Sequence, residues 1–188
     1  MSVLRELPSR RTWRWWRATA PAVLGAALLA ACGGGTSQVE NYAPTRVVVL
    51  GEDSSVLDDT ANPGNARKYS VNGVDSSNAV DCNQLPLVAQ RVAARYAMNF
   101  KECLASTSTA TVNAFDYAVA GATVEDGSIG LAAQIARAGT LGDKDLLSVW
   151  IGTNDIIDIY TRRVAGEYTS DAQALAEAAR RGAAAAGI

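Results

Sequence analysis

The stretch of this sequence with the clearest chemical potential is GEDSS, residues 51–55, which follows a valine-rich run over residues 46–50. A serine on the turn after a buried strand is suited to act as a nucleophile, but its hydroxyl needs a base to accept its proton. The 188 residues contain no histidine, so no imidazole of this chain can serve. The three lysines, Lys68, Lys101 and Lys144, form no Ser-x-x-Lys arrangement.

Two further apolar runs end in the same way. Residues 114–120 stop at Gly121, and residues 146–151 stop at Gly152, which is followed by Asn154 and Asp155. A glycine after a strand is common for turn reasons alone. A side-chain amide such as that of Asn154 can donate to an oxyanion, an interaction worth ~3–4 kcal/mol of barrier. The alternative is that Thr153, Asn154 or Asp155 only caps the next helix.

These polar groups need a scaffold, and the apolar spacing predicts one. Helices are expected from about Leu85 to Tyr96, from an N-cap at Ser128 to Gly139, over residues 155–163, and from Ser170 onward. Residues 52–80 read as a long loop. Strand and helix patterns that alternate three times predict an α/β fold, with a parallel sheet and helices on both faces. Ligands bind at the carboxyl ends of such strands, so all three polar loops are expected at one edge.

Together the three loops resemble the motifs of the SGNH (GDSL) hydrolases, a family of esterases and lipases. The resemblance covers residues 46 to about 160, and GTND at residues 152–155 is its best match. It implies a three-layer α/β/α sheet of flavodoxin-like type, with Gly121 and Asn154 as oxyanion donors. Aligned without a gap, Asp53 takes the nucleophile position; a slip of one residue places Ser54 there.

We favour Ser54 as the nucleophile candidate, because a carboxylate at Asp53 would repel a developing oxyanion. The alternative is that Ser54 and Ser55 only form hydrogen bonds within the turn. The family's late Asp-x-x-His block does not occur in these residues. Residues 45–188 are therefore expected to be the N-terminal part of such a domain, with an incomplete fold, or else a degenerate homologue.

The first 31 residues are expected to be a lipoprotein signal peptide. Five arginines precede an uncharged run over residues 18–31, and Leu29-Ala30-Ala31-Cys32 resembles a bacterial lipobox. Cys32 would then be lipidated and residues 32–44 would be a flexible tether. The lipid membrane is the expected partner, and the expected location is the cell envelope, facing the periplasm. Gly33 favours the outer membrane.

Net charge and cysteine content bear on three questions: nucleic acid as a partner, a disulfide, and a bound metal or cofactor. Without residues 1–32 the chain has 12 basic and 18 acidic residues, a net charge of −6, which argues against nucleic acid as a partner. In an oxidising compartment Cys82 and Cys103 would form a disulfide, although two free thiols remain an alternative. No histidine and no CxxC occur, so neither a metal nor a cofactor is expected.

Two other functions, nucleotide binding and calcium binding, lack the sequence motifs expected for them. A nucleotide-binding domain lacks both GxGxxG and GxxxxGK[ST]. Four acids after the first strand could bind calcium, but their spacing is not that of an EF-hand. They are Glu52, Asp53, Asp58 and Asp59.

The expected function is hydrolysis of a small carboxylic ester or an acylated carbohydrate through an acyl-serine. The alternative is a non-catalytic, lipid-anchored binding protein of the envelope or an inactive fragment. The altered first motif and the missing histidine motivate this second reading.

Overall fold

The computed structural model describes residues 42–188, of which Ala43–Ile188 form one compact unit. The strands in this part of the chain are β1 (Arg46–Gly51), β2 (Leu57–Asp58), β3 (Arg67–Lys68), β4 (Gly73–Val74), β5 (Val80–Asp81), β6 (Asn99–Phe100), β7 (Val112–Asp116) and β8 (Asp145–Trp150). The helices are α1 (Val88–Arg95), α2 (Leu131–Ala138), α3 (Thr153–Val164) and α4 (Asp171–Ala186), with a short 3-10 turn at Lys101–Cys103.

Four strands form one parallel sheet in the order β6-β7-β1-β8. The predicted parallel α/β architecture is therefore confirmed, with one strand more than the sequence indicated. The additional strand, β6, has only two residues, too few to produce a readable apolar period. The long loop before α1 contains two small antiparallel ladders, β2 with β3 and β4 with β5.

The central strand β1 is buried on both faces, as its valine run predicts. Val47 and Val49 pack in one apolar cluster with residues of α1, whereas Val48 and Leu50 pack in a second cluster with Leu131 of α2. Successive side chains of a strand point to opposite faces, so the two clusters lie on opposite sides of the sheet. Helices on both faces are confirmed.

Three predicted boundaries were wrong. Helix α1 begins at Val88 and not at about Leu85, whose φ of +48° is not that of a right-handed helix. The strand expected over residues 114–120 is regular only over Val112–Asp116, although backbone bonds to β1 continue from Tyr117 N to Val49 O and from Val119 N to Gly51 O. Ser128 does not cap α2, because its hydroxyl donates to Asp126 and the N-cap is Gly130.

The predicted C-terminus of α2 and the predicted N-terminus of α4 are confirmed. Gly139 closes α2, and Ser170 caps α4 by accepting a bond from Gln173 N. Gln173 also takes part in this cap. Its side-chain oxygen accepts from Thr169 N, one residue before the Ser170 N–H that a capping box would use. Cap residues act on neighbours in the chain, which makes them readable from sequence.

The predicted cysteine pair is confirmed at the level of geometry. Cys82 and Cys103 lie at disulfide-bonding distance, with their Cα atoms 5.3 Å apart and both side chains buried. Within residues 42–188, no helix is long and apolar enough to cross a bilayer. The proposed signal peptide and the lipid site at Cys32 lie outside the described residues, as does most of the tether.

Candidate functional site

The candidate site lies where β1, β7 and β8 end, at the carboxyl edge of the sheet. The turn after β1 is tight: a Cβ atom on Gly51 would stand 2.3 Å from the Trp150 carbonyl oxygen, and the residue has a φ of +152°. Only glycine fits there. Glu52 N donates to the same carbonyl oxygen at 3.1 Å, so the turn begins as an extension of the β1–β8 ladder.

Glu52 is an acid that the sequence did not single out for a role in the site. Its side chain is buried, and its carboxylate accepts from Thr153 N at 3.1 Å, from Asn154 N at 3.0 Å and from Asn154 Nδ2 at 3.0 Å. A carboxylate at a helix N-terminus satisfies free N–H groups and favours the helix dipole. Glu52 thus caps α3 from the neighbouring strand and orients the Asn154 amide.

This cap bears on the reading of the third loop as a helix cap. The N-cap of α3 is Gly152, and no side chain of residues 152–155 makes the capping bond. Asn154 is therefore not used as a helix cap. Its side-chain amide points across the site instead, to the turn that follows β1.

Asp53 receives hydrogen bonds from both predicted oxyanion donors. Gly121 N donates to Asp53 Oδ1 at 2.8 Å, and Asn154 Nδ2 donates to Asp53 Oδ2 at 2.9 Å. Gly121 has a φ of +76°, a left-handed conformation that favours glycine. The structure thus brings together two groups that lie 33 residues apart in the chain, and it places a carboxylate between them.

Ser54 lies next to this carboxylate but is turned to solvent. It is exposed, and its hydroxyl makes no hydrogen bond to any residue of the described range 42–188. The turn itself is closed by Ser55 N, which donates to the Glu52 carbonyl oxygen at 2.8 Å. A small cavity of about 120 Å³ opens beside both serines. Its other lining residues are Leu87, Val88, Ala89, Ser148 and Trp150.

Gln134 is a second residue of this region, after Glu52, whose role the sequence analysis missed. It is fully buried on α2, where Oε1 accepts from Gly51 N at 2.7 Å and Nε2 donates to Gly51 O at 2.8 Å and to Ile129 O at 2.8 Å. The side-chain amide thus pairs with both the N–H and the carbonyl group of Gly51, as the backbone of a neighbouring strand would. The available signal was a polar residue on the helix face that also carries Leu131 and Ala138.

A pair of acids lies at the end of β7. Asp116 accepts from Leu57 N and Ala118 N, and Glu102 accepts from Asp116 N at 3.2 Å. Burial raises the pKa of Asp116 to about 8, against the effect of the two N–H donors, and the nearby Glu102 carboxyl adds to the rise. Burial also raises the pKa of Glu102, whose Oε2 atom has no hydrogen-bond partner among the described residues.

Lys68 is the one lysine with a buried amine among residues 42–188. Its Nζ donates to the carbonyl oxygens of Cys82 and Gln84, both at 2.8 Å. Burial lowers the pKa of Lys68, the charge of Asp81 opposes this lowering, and the two carbonyl acceptors hold the amine in place. The lysine is therefore fixed in the loop scaffold and unsuited to act as a base for Ser54.

The acids considered for calcium do not converge on one point. Glu52 and Asp53 bind the donors described above, and Asp58 accepts from Thr60 N and Oγ1 within its own turn. Within residues 42–188 no group of three or more acids, cysteines or histidines is arranged to hold a metal ion.

The site holds one anionic group, the Asp53 carboxylate, between two N–H donors from separate loops, and each donor bonds a different oxygen. A backbone N–H and a side-chain amide are also the kinds of donor that form an oxyanion hole, where they meet at a single oxygen. Comparisons of the chain with protein-family models, with curated proteins and with solved structures find no match.

Proposed function

We propose that residues 45–188 carry an ester-hydrolase domain of the SGNH/GDSL type, in which Ser54 forms the acyl-enzyme. One observation carries the proposal: Gly121 N–H and the Asn154 amide donate to the same carboxylate at the carboxyl edge of a parallel sheet. The flavodoxin-like, three-layer form of the sheet belongs to the same proposal.

In the proposed reaction, Ser54 Oγ attacks the ester carbonyl carbon, and its proton passes to solvent water, which supplies a proton to the leaving alkoxide. The carbonyl oxygen becomes an oxyanion, which Gly121 N–H and Asn154 Nδ2 stabilise by about 3 kcal/mol per donor. Collapse of this intermediate expels the alcohol and leaves an acyl group on the serine. Water then releases the carboxylic acid and restores the hydroxyl.

Two features of the chain limit this reaction. Asp53 occupies the donors, so an ester carbonyl must displace its carboxylate. The chain supplies no imidazole to accept the serine proton. We therefore expect hydrolysis by these 188 residues alone to be slow.

A chromogenic acetate ester tests the proposal, with Ser54→Ala compared against Ser77→Ala. Ser77 is an exposed serine that bonds only to Asp75 in a distant turn, so it is a matched control. The expected result is a loss of at least about tenfold for Ser54→Ala alone. Labelling by a fluorophosphonate should likewise disappear only in that variant. Equal rates and equal labelling in both variants would exclude Ser54 from the mechanism.

A second candidate is a binding protein that holds an ester or an acylated carbohydrate at the same edge without turnover. The observation that favours it is the Asp53 carboxylate on the donor pair, in a chain without histidine. Saturable ligand binding without product release and without phosphonate labelling is the result that selects it.

The proposal includes anchoring at the cell envelope through a lipid on Cys32, with the domain facing the periplasm. The arginine-rich start, the apolar run and the lipobox resemblance support it. Incorporation of radiolabelled palmitate by wild type but not by Cys32→Ser is the expected result. A protein that takes up no label in a lipoprotein-processing host contradicts the anchor.

A further inference from the structure

The loop that carries Gly121 is held from outside by helix α4. We call residues 121–125 the donor loop. Arg180 of α4 donates to both carboxylate oxygens of Glu125, from Nη1 at 2.7 Å and from Nη2 at 2.6 Å. A two-point arginine–carboxylate contact restricts both distance and orientation.

The next residue of α4 reaches the same loop through an intermediate. Arg181 Nη1 donates to Asp155 Oδ1 at 3.2 Å, and Asp155 Oδ2 accepts from Val124 N at 2.9 Å. Asp155 is only 3% exposed, so its carboxylate relies on these partners for hydrogen bonds in place of water. Arg181 is held in turn by Asp158 at 2.6 Å and Glu177 at 3.0 Å.

Asp155 links the two oxyanion donors mechanically. It directly follows Asn154, and its carboxylate holds Val124, three residues after Gly121. A second tie runs the same way, because Asn154 Nδ2 also donates to Ala122 O at 3.2 Å. A pair of donors stabilises an oxyanion only if their spacing is kept within about 0.5 Å.

We propose that Arg181 is a positioning residue: through Asp155 it fixes the distance between Gly121 N–H and the Asn154 amide. Arg180 supports the far end of the donor loop from the surface. The significance for catalysis rests on the proposed function, whereas the positioning itself does not.

The two arginines differ in a way that supplies an internal control. The Arg181 side chain is 12% exposed and meets three carboxylates, whereas that of Arg180 is 53% exposed. Exposed pairs contribute little, but removing one partner of a buried pair leaves a buried charge unpaired. A change at position 181 is therefore expected to loosen the donor loop more than the same change at 180.

Amide hydrogen exchange in the full chain, followed by NMR, measures the positioning without any need for turnover. Arg181→Gln is expected to speed exchange at Val124 N by at least about tenfold, while the amides of Val47–Leu50 keep their rates. Arg163→Gln is the control, because Arg163 pairs with Asp171 and does not touch the donor loop. Arg180→Gln should give a smaller effect than Arg181→Gln.

Two exchange results overturn the proposal. Unchanged exchange at Val124 in Arg181→Gln means that Arg181 does not hold the loop. An equal acceleration in the strand amides means that Arg181 serves overall stability only.

If the chain hydrolyses esters, the kinetics provide a second readout. Arg181→Gln should lower kcat by about tenfold with KM nearly unchanged, since oxyanion contacts form in the transition state, and Arg181→Lys should recover part of the loss. A raised KM with unchanged kcat contradicts positioning. If the wild type shows no hydrolysis, the proposed function fails, and the exchange experiment still decides the role of Arg181.

Discussion

The side-chain amide of Asn154 donates to Oδ2 of Asp53 at 2.9 Å, across the gap between the ends of two adjacent parallel strands. The carboxylate also receives Gly121 N–H, so an internal anion occupies both donors that the proposed function assigns to an oxyanion. Asp53 lies one residue before the serine that we favour as the nucleophile. If the proposed function holds, the Asp53 carboxylate must leave these two donors before an ester can use them.

We predict that removing this carboxylate creates a site for an external one. Asp53→Ala should lose about 2 kcal/mol of unfolding free energy, because two N–H donors lose a charged partner. Acetate at ten times its dissociation constant should restore about 1.4 kcal/mol. Urea unfolding with and without acetate measures both changes. Asp58→Ala, in an exposed turn, should show no acetate effect beyond that of wild type; an equal effect in the two variants contradicts the prediction.

Gln134 is predicted to be the polar residue whose loss is most costly to the turn after β1. Gln134→Ala leaves Gly51 N without its acceptor in a buried place and should cost about 2–3 kcal/mol. Gln173→Ala, at the exposed start of α4, should cost less than about 1 kcal/mol. Urea denaturation of both variants checks the difference. Similar losses would show that the Gly51 contacts carry no special weight.

The buried acid at the end of β7 predicts a pH dependence of stability. Burial raises the pKa of Asp116 to about 8 from 3.8, so folded protein holds a proton that unfolded protein releases. The contribution of protonated Asp116 to the unfolding free energy is complete below pH 3.8 and is lost as the pH rises to about 8. The slope from this group approaches 1.4 kcal/mol per pH unit within that window.

Asp116→Asn should therefore flatten the fall of unfolding free energy between pH 5 and pH 8. Asp126→Asn is the control, because N–H donors of Ser128 and Ile129 and the Ser128 hydroxyl lower the pKa of exposed Asp126. Its titration lies below the window. Urea unfolding at successive pH values compares the slopes, and parallel curves for wild type and Asp116→Asn would show that Asp116 does not hold the proton.

The cysteine pair is predicted to stabilise the long loop before α1. Cys82 and Cys103 are 21 residues apart, and closing a loop of this length contributes about 3 kcal/mol in the chain-entropy model. Addition of a reductant should lower the unfolding free energy of wild type by this amount. The double variant Cys82→Ser, Cys103→Ser should start at the lower value and not respond to reductant. A wild type that is equally stable after complete reduction contradicts the prediction.

Local patterns were enough for the architecture. A β-branched run ending in glycine identified β1, Gly139 marked the C-terminus of α2, and Ser170 marked the start of α4. These signals are readable because each depends on neighbours in the chain or on a simple period. The start of α2 was misread, because Ser128 had a closer partner in Asp126.

By itself, therefore, the sequence determined the parallel α/β fold, the cysteine pair and the meeting of three polar loops at one edge. Only the tertiary structure decided what those loops do to one another. It put Asp53 between the donors, turned Ser54 outward, placed Glu52 on the N-terminus of α3 and joined Arg181 to the donor loop. Such contacts join residues far apart in the chain, and their geometry depends on side-chain directions that no local period encodes.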